Sequence, residues 1–321
     1  MVLNSTEASG FGTVVYYTVS VITAVVTFIG NTIFLVALLK TKTLQVKTNI
    51  LVGNLAVVDI VSSFLVILVT VMYYTQPFIV SMQLTLIWLC ILNLSPCTIL
   101  AIAVDRFLAV VHSPLTYKRY PHPWKYVLAV ILMWSLTLVL VIGSIVAAHL
   151  GNSAFLNAIL IVTTVFIVVG AVSLSAVAFF YRKIFKTLMA VQSQVIKKHS
   201  PLSLCFTGRR NENRNLKLVI SFTIRLVITY LLWLPFLIGK SVKLIRHKDL
   251  FFSGSDVSEG IICDIVPCEA SITAIWLIVD GTINPWIYWT RHQKYRIAMK
   301  SALCFRSSAS NVGDILSSDK L

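Results

Sequence analysis

The sequence predicts an all-α membrane protein: seven transmembrane helices in one bundle, with a short amphipathic interfacial helix after the seventh span. Three observations carry this. Of 321 residues, 57% are apolar and only 12% charged, where soluble domains hold roughly 45–50% apolar residues. The apolar residues fall in seven blocks, each near or above the ~20 residues that cross a bilayer as helix. Lysine and arginine concentrate in alternate connections between the blocks, as short cytoplasmic loops require.

The blocks, in order, are Val14–Leu39, Asn49–Tyr74, Ile79–Val111, Tyr126–His149, Phe155–Phe185, Leu216–Lys240 and Ser271–Trp289. They divide the chain into an outer N-terminus (1–13), a seven-span domain (14–290), a membrane-surface helix (291–304) and a cytoplasmic tail (305–321). The connections after the first, third and fifth spans and the C-terminal tail hold Lys40, Lys42 and Lys47, Arg106 to Lys125, Arg182 to Lys217, and Arg291 to Lys320. The other side holds Lys240, Lys243, Arg246 and Lys248, diluted by Asp249, Asp256, Glu259, Asp264 and Glu269. The expected orientation in the plasma membrane is therefore N-terminus outside and C-terminus cytoplasmic. The net charge of +15 reflects topology and attraction to the anionic inner leaflet, not nucleic acid.

No basic n-region precedes Val14, so the first span is expected to act as its own targeting element. Asn4-Ser5-Thr6 is a glycosylation acceptor triplet on the outer side; the same triplet at Asn93-Leu94-Ser95 lies within a span and is a chance match. The N-terminus is too short to fold alone, so a ligand must bind the bundle or its loops.

Polar residues enter the spans one at a time. They are Gly30-Asn31 in the first, Asn54-Leu55-Ala56-Val57-Val58-Asp59 in the second, Asp105-Arg106-Phe107 at the end of the third and Trp134 in the fourth. Tyr181 ends the fifth, Trp233-Leu234-Pro235 lies in the sixth, and Asn284-Pro285-Trp286-Ile287-Tyr288 ends the seventh. In this order they resemble the motifs of the rhodopsin-like (class A) G-protein-coupled receptors, and the resemblance covers all seven spans.

The resemblance implies a signalling role with a heterotrimeric G protein as partner, arrestin and receptor kinases as further candidates, and no enzymatic activity. It makes Asp105, Arg106, Tyr181, Asn284, Pro285 and Tyr288 the activation switch: Arg106 packs against Asp105 at rest and meets the G protein when active. The bare residues support this, because Arg106 closes a stretch from Ile79 to Val104 without another charge, and an arginine at the mouth of a span needs a partner. The acid that relatives carry at the inner end of the sixth helix is replaced by Asn215, which weakens the resting lock. Arg225, within the sixth block, either snorkels to the cytosol or pairs with Asp280.

Asp59 is a carboxylate in mid-bilayer and must be neutralised by a proton, a cation or hydrogen-bond donors. The resemblance places Ser95, Asp280 and Asn284 around it, with Trp233 beside them, as a candidate allosteric sodium site; no other cofactor is expected. A protonated carboxyl in a polar network is the alternative. Asp280 stands where relatives carry a neutral residue, and two like charges do not share a dry site cheaply. Pro235 and Pro285 each remove a backbone hydrogen bond and bend their helices, and the resemblance implies that the sixth swings outward at such a hinge. Pro96, with no counterpart in relatives, is expected to kink the third span next to Ser95.

The stretch Arg291 to Lys300 alternates basic and apolar residues at helical spacing, which predicts a helix lying on the inner leaflet. Cys304 behind it is an acylation candidate, a free thiol being the alternative, and the serines of the tail are candidate phosphorylation sites.

The outer half of the bundle offers Trp88, Leu89, Leu92, Trp233, Phe236 and Trp276 under a basic rim of Lys240 and Lys243, the chemistry of a lipid or another largely apolar, anionic small molecule. A peptide or an adenosine-like ligand is the alternative. No acid faces an amine ligand in the third span and no lysine in the seventh holds a retinal. Ser81 replaces the usual outer cysteine of the third span, and the connection from Leu150 to Ala154 is very short and has no cysteine. Both features resemble the branch that holds melanocortin, lysophospholipid, cannabinoid and adenosine receptors. Cys263 and Cys268 are the two cysteines placed outside the cell, and a turn at Pro267 lets them pair as a local disulfide. Outside the receptor class, a transporter or channel is the competing reading. The halves show no self-similarity, and the polar residues are single rather than ringed about a pore.

Overall fold

A computed structural model of the chain describes residues 5–45, 49–75, 78–112, 123–198, 227–246, 272–291 and 293–303. It is a bundle of seven helices with a short eighth at one end. The first helix is Ser5–Lys40, the second Asn49–Thr75, the fourth Pro123–Leu150, the fifth Asn152–Lys198 and the seventh Ile272–Arg291. The third span is built from two segments, Phe78–Leu92 and Leu94–Phe107, and the described part of the sixth is Val227–Arg246. Gln293–Leu303 forms the helix after the seventh span. Among the described residues, six helices are long and apolar enough to cross a membrane. The seventh carries Asp280, Asn284 and Pro285 among its apolar residues.

Three boundaries differ from the expected ones. The first helix reaches out to Ser5 rather than starting at Val14, because hydropathy marks only the part inside lipid. The fifth runs on to Lys198 rather than ending at Phe185; no glycine or proline intervenes before Pro201, so nothing stops the helix where the membrane ends. The sixth extends outward past Lys240 to Arg246 for the same reason.

The third span is the central one. It packs against the second, fourth and fifth helices, while the first lies against the second, the seventh and the short helix. Its residues from Trp88 to Pro96 are all buried. The fourth helix is peripheral, and its exposed face shows Leu136, Val139 and Ile142, an apolar surface that only lipid would cover without penalty. Gly151 alone joins the fourth helix to the fifth. Its φ of 121° is a conformation open to glycine at little cost, and its carbonyl accepts the first bond of the fifth helix from Phe155 at 3.0 Å.

Two polar bridges fix the inner half. Asn54 donates to Thr98 Oγ1 at 2.8 Å and accepts from the Trp134 indole at 2.9 Å, so one amide ties the second, third and fourth helices. Asn31 donates to the Gly281 carbonyl at 3.0 Å, tying the first to the seventh. In lipid such bonds hold helices together where the hydrophobic effect cannot.

Candidate functional site

The break in the third span shapes the middle of the bundle. Pro96 has no N–H, so the Leu92 carbonyl loses its helical donor. The adjacent bonds are long, Asn93 N to Leu89 O at 3.3 Å and Cys97 N to Asn93 O at 3.5 Å, and the helix is interrupted at Asn93. The helical bonding is thus broken about one turn ahead of the proline that was expected to kink this span.

Next to it lies a small cavity lined by Asp59, Ser62, Ser63, Ser95, Trp233 and Asp280. Thr27 and Gly281 close one side. Asp59 is 5% and Asp280 2% exposed. Asn284 donates to Asp59 Oδ2 at 2.5 Å. The Asp280 oxygens are held from the sixth helix: Thr229 donates to Oδ1 at 3.0 Å and the Trp233 indole to Oδ2 at 3.2 Å. Two carboxyl groups with a shell of hydroxyls are hard oxygen donors, a set that fits a small hard cation rather than a transition metal. Among the described residues no group of three or more His, Cys, Asp or Glu gathers into a metal cluster. The four residues expected around the ion are thus assembled, three lining the cavity and Asn284 reaching one of them. The sequence reading missed Ser62, Ser63 and Thr229. Their period is visible, since Asp59 and Ser63 are four apart on one helix face, as are Thr229 and Trp233, but isolated hydroxyls in spans are too common to single out.

At the C-terminal end of the third span, Arg106 Nε lies 3.7 Å from Asp105 Oδ2, with Asp105 buried and Arg106 30% exposed. The other carboxylate oxygen accepts from the Tyr126 hydroxyl at 2.5 Å. Tyr126, at the inner end of the fourth helix, was not legible as a functional residue, because only the fold brings it beside Asp105. A wide π turn, Leu108–His112, follows Phe107, a distortion frequent at functional sites.

The two tyrosines expected to take part in switching are buried in separate clusters. Tyr181 packs with Leu55, Ile99 and Ile184. Tyr288 stacks on Phe34 at 4.9 Å and meets Tyr295 of the short helix at 5.2 Å. The Tyr295 hydroxyl donates to Asn49 Oδ1 at 2.9 Å. Burial pushes the Tyr295 phenol above its usual range, opposed by that hydrogen bond and by the nearby Arg106 charge. Pro285 lies inside the seventh helix.

In the outer half, Phe166 stacks on Trp233 at 5.5 Å and meets Phe236 edge-on at 5.6 Å. Trp88 and Leu89 are buried in the same cluster, and the Trp88 indole donates to Ser62 Oγ at 2.9 Å. One expectation is corrected. Lys240 is no rim residue: it is 6% exposed, with Nζ 5.8 Å from the centre of the Phe236 ring, because it lies one turn from Phe236 on the same buried face. Leu92 is buried in the same cluster as Trp88 and also lines the central cavity. Lys243 is half-buried and Arg246 exposed.

Asn4, Asn215, Arg225, Cys263, Cys268 and Cys304 lie outside the described residues, as does the Trp276 side chain. Compared with known protein families, residues 30–288 match the family described as 7 transmembrane receptor (rhodopsin family). A comparison with curated proteins gives no match.

Proposed function

The chain belongs to the rhodopsin family of seven-transmembrane receptors, multi-pass membrane proteins that signal to heterotrimeric G proteins, and we propose that its ligand is a largely apolar molecule with one anionic group. The observation that carries this reading is Lys240, an ammonium buried at 6% exposure against Phe236, at the outer edge of the aromatic group formed with Phe166 and Trp233. A carboxylate or phosphate on an apolar body complements this arrangement, its charge opposite in sign to the ammonium and its tail received by the rings.

The branch that joins melanocortin, lysophospholipid, cannabinoid and adenosine receptors is the subfamily proposed. The single-residue link at Gly151 and the buried Ser81 support it. The N-terminus is proposed to lie outside and the C-terminus in the cytosol, with Asn4 glycosylated, Cys263 paired to Cys268, Cys304 acylated, and arrestin and receptor kinases as further partners.

In the proposed mechanism the ligand presses on Trp233 and Phe236, Pro235 lets the sixth helix bend, and the inner end opens so that Arg106 meets the G protein while Tyr181 and Tyr288 rotate toward it. The cavity at Asp59 would hold sodium in the resting state, with Ser95, Asp280 and Asn284 around the ion; the ion supplies positive charge that keeps the second, third and seventh helices together.

The test is nucleotide exchange on a panel of G proteins in membranes carrying the full chain. A long-chain fatty acid or a lysophosphatidate is expected to stimulate it, the matching fatty-acid methyl ester is not, and Lys240→Gln is expected to remove the distinction. Stimulation by adenosine or a peptide, with Lys240→Gln as responsive as the native chain, would replace this reading with the alternative ligand class.

A further inference from the structure

We propose that the Thr229–Asp280 hydrogen bond is a resting-state latch that holds the inner part of the sixth helix to the seventh. This deepens the receptor reading and rests on it. Asp280 is 2% exposed, and its two oxygens each take a donor from the sixth helix, Thr229 at 3.0 Å and Trp233 at 3.2 Å, with both donors only 1% exposed. The donors are four residues apart, so they present to one face, and a single carboxyl spans them.

The position of Pro235 gives the pair different duties. The proline lacks an N–H, so the Leu231 carbonyl is released and the helix can bend with Pro235 as its pivot. Thr229 lies six residues inward of Pro235, about 9 Å along the axis, and Trp233 only about 3 Å. An outward swing of about 10° therefore carries Thr229 through roughly 1.5 Å and Trp233 through about 0.5 Å. A bond of 3.0 Å stretched that far is broken, since little remains of a hydrogen bond beyond about 3.5 Å. The Trp233 bond, 3.2 Å long, lengthens by only about a third as much. The Thr229 bond therefore opposes the swing more strongly than the Trp233 bond does.

The latch also gives a reason for an acid at this position. An amide offers one acceptor oxygen, and its nitrogen only donates, so asparagine satisfies one of the two donors; a carboxyl satisfies both.

The test is ligand-independent nucleotide exchange at matched surface density. Thr229→Val, which keeps the shape and removes the hydroxyl, is expected to raise it about three- to tenfold, the range that a membrane-buried hydrogen bond supports. Thr229→Ser, which restores the hydroxyl, is expected to return it to the native level. Asp280→Asn should raise it as well. A Thr229→Val variant at the native level overturns the latch, and so does a Thr229→Ser variant as active as Thr229→Val, since loss of packing rather than of the bond would then be the cause. Adding Arg106→Ala to Thr229→Val separates the two readings. Loss of the raised exchange supports both, whereas raised exchange that survives the addition contradicts coupling through Arg106 and leaves the latch standing.

Discussion

Asn284 of the seventh helix donates its side-chain N–H to Asp59 Oδ2 of the second at 2.5 Å, across 225 positions of sequence. The bond anchors the seventh helix one residue before Pro285, on the carboxyl that lines the central cavity. In the proposed resting state a cation on this carboxyl and the Asn284 bond together tie the second helix to the seventh, and an opening of the helix ends must loosen that tie.

Agonist affinity is accordingly expected to fall when sodium replaces a bulky organic cation at constant ionic strength, and Asp59→Asn is expected to erase the difference. Radioligand competition at several sodium concentrations measures it. An unchanged affinity in the native chain points instead to a protonated Asp59.

Gly281 tests how closely the helices approach at this cavity. A Cβ on this residue would lie 2.9 Å from Thr27 Cγ2 and 3.4 Å from Asp59 Cγ, and the Asn31 bond to the Gly281 carbonyl keeps the backbone from retreating. Gly281→Ala is expected to destabilise the detergent-solubilised protein by about 1–3 kcal/mol, the usual cost of overpacking. Thr27→Ser, which removes the opposing methyl and keeps the hydroxyl, should recover part of the loss in the double variant. Thermal unfolding of the three proteins checks this; a single variant as stable as the native chain would mean that the helices are not this close.

Much of this architecture was legible in the sequence because lipid imposes simple rules. Every span had to be a long apolar helix, so Asn49–Thr75 is found within a residue of its expected end. A carboxylate inside a span is rare and costly, which is why Asp59 could be singled out from the residues, while Ser95, Asp280 and Asn284 were expected around it from the resemblance. The misses have physical causes. Tyr126 and Asn49 look like ordinary interfacial polar residues, and only helix packing puts them against Asp105 and Tyr295. The buried state of Lys240 depends on which face of the sixth helix turns inward, and a lysine near a span end reads as exposed from sequence. The extension of the fifth helix to Lys198 lies in water, where hydropathy carries no signal.

The bridge through Asn54 can be measured by a double-mutant cycle. Trp134→Phe and Thr98→Val each remove one bond to Asn54, and each is expected to couple to Asn54→Ala by about 0.6 kcal/mol, with roughly 1.7 as the upper bound seen for such bonds in membranes. Additive effects on unfolding temperature would show that the amide does not tie the three helices.

The central claim is that this chain passes its signal to the G protein through Arg106, held at rest beside Asp105 at 3.7 Å. The most direct measurement is stimulated nucleotide exchange on purified G protein by the native chain and by Arg106→Ala at equal surface density. The Arg106→Ala variant is expected to reach the surface and bind ligand while stimulated exchange falls to background. Full stimulation by that variant would contradict the account.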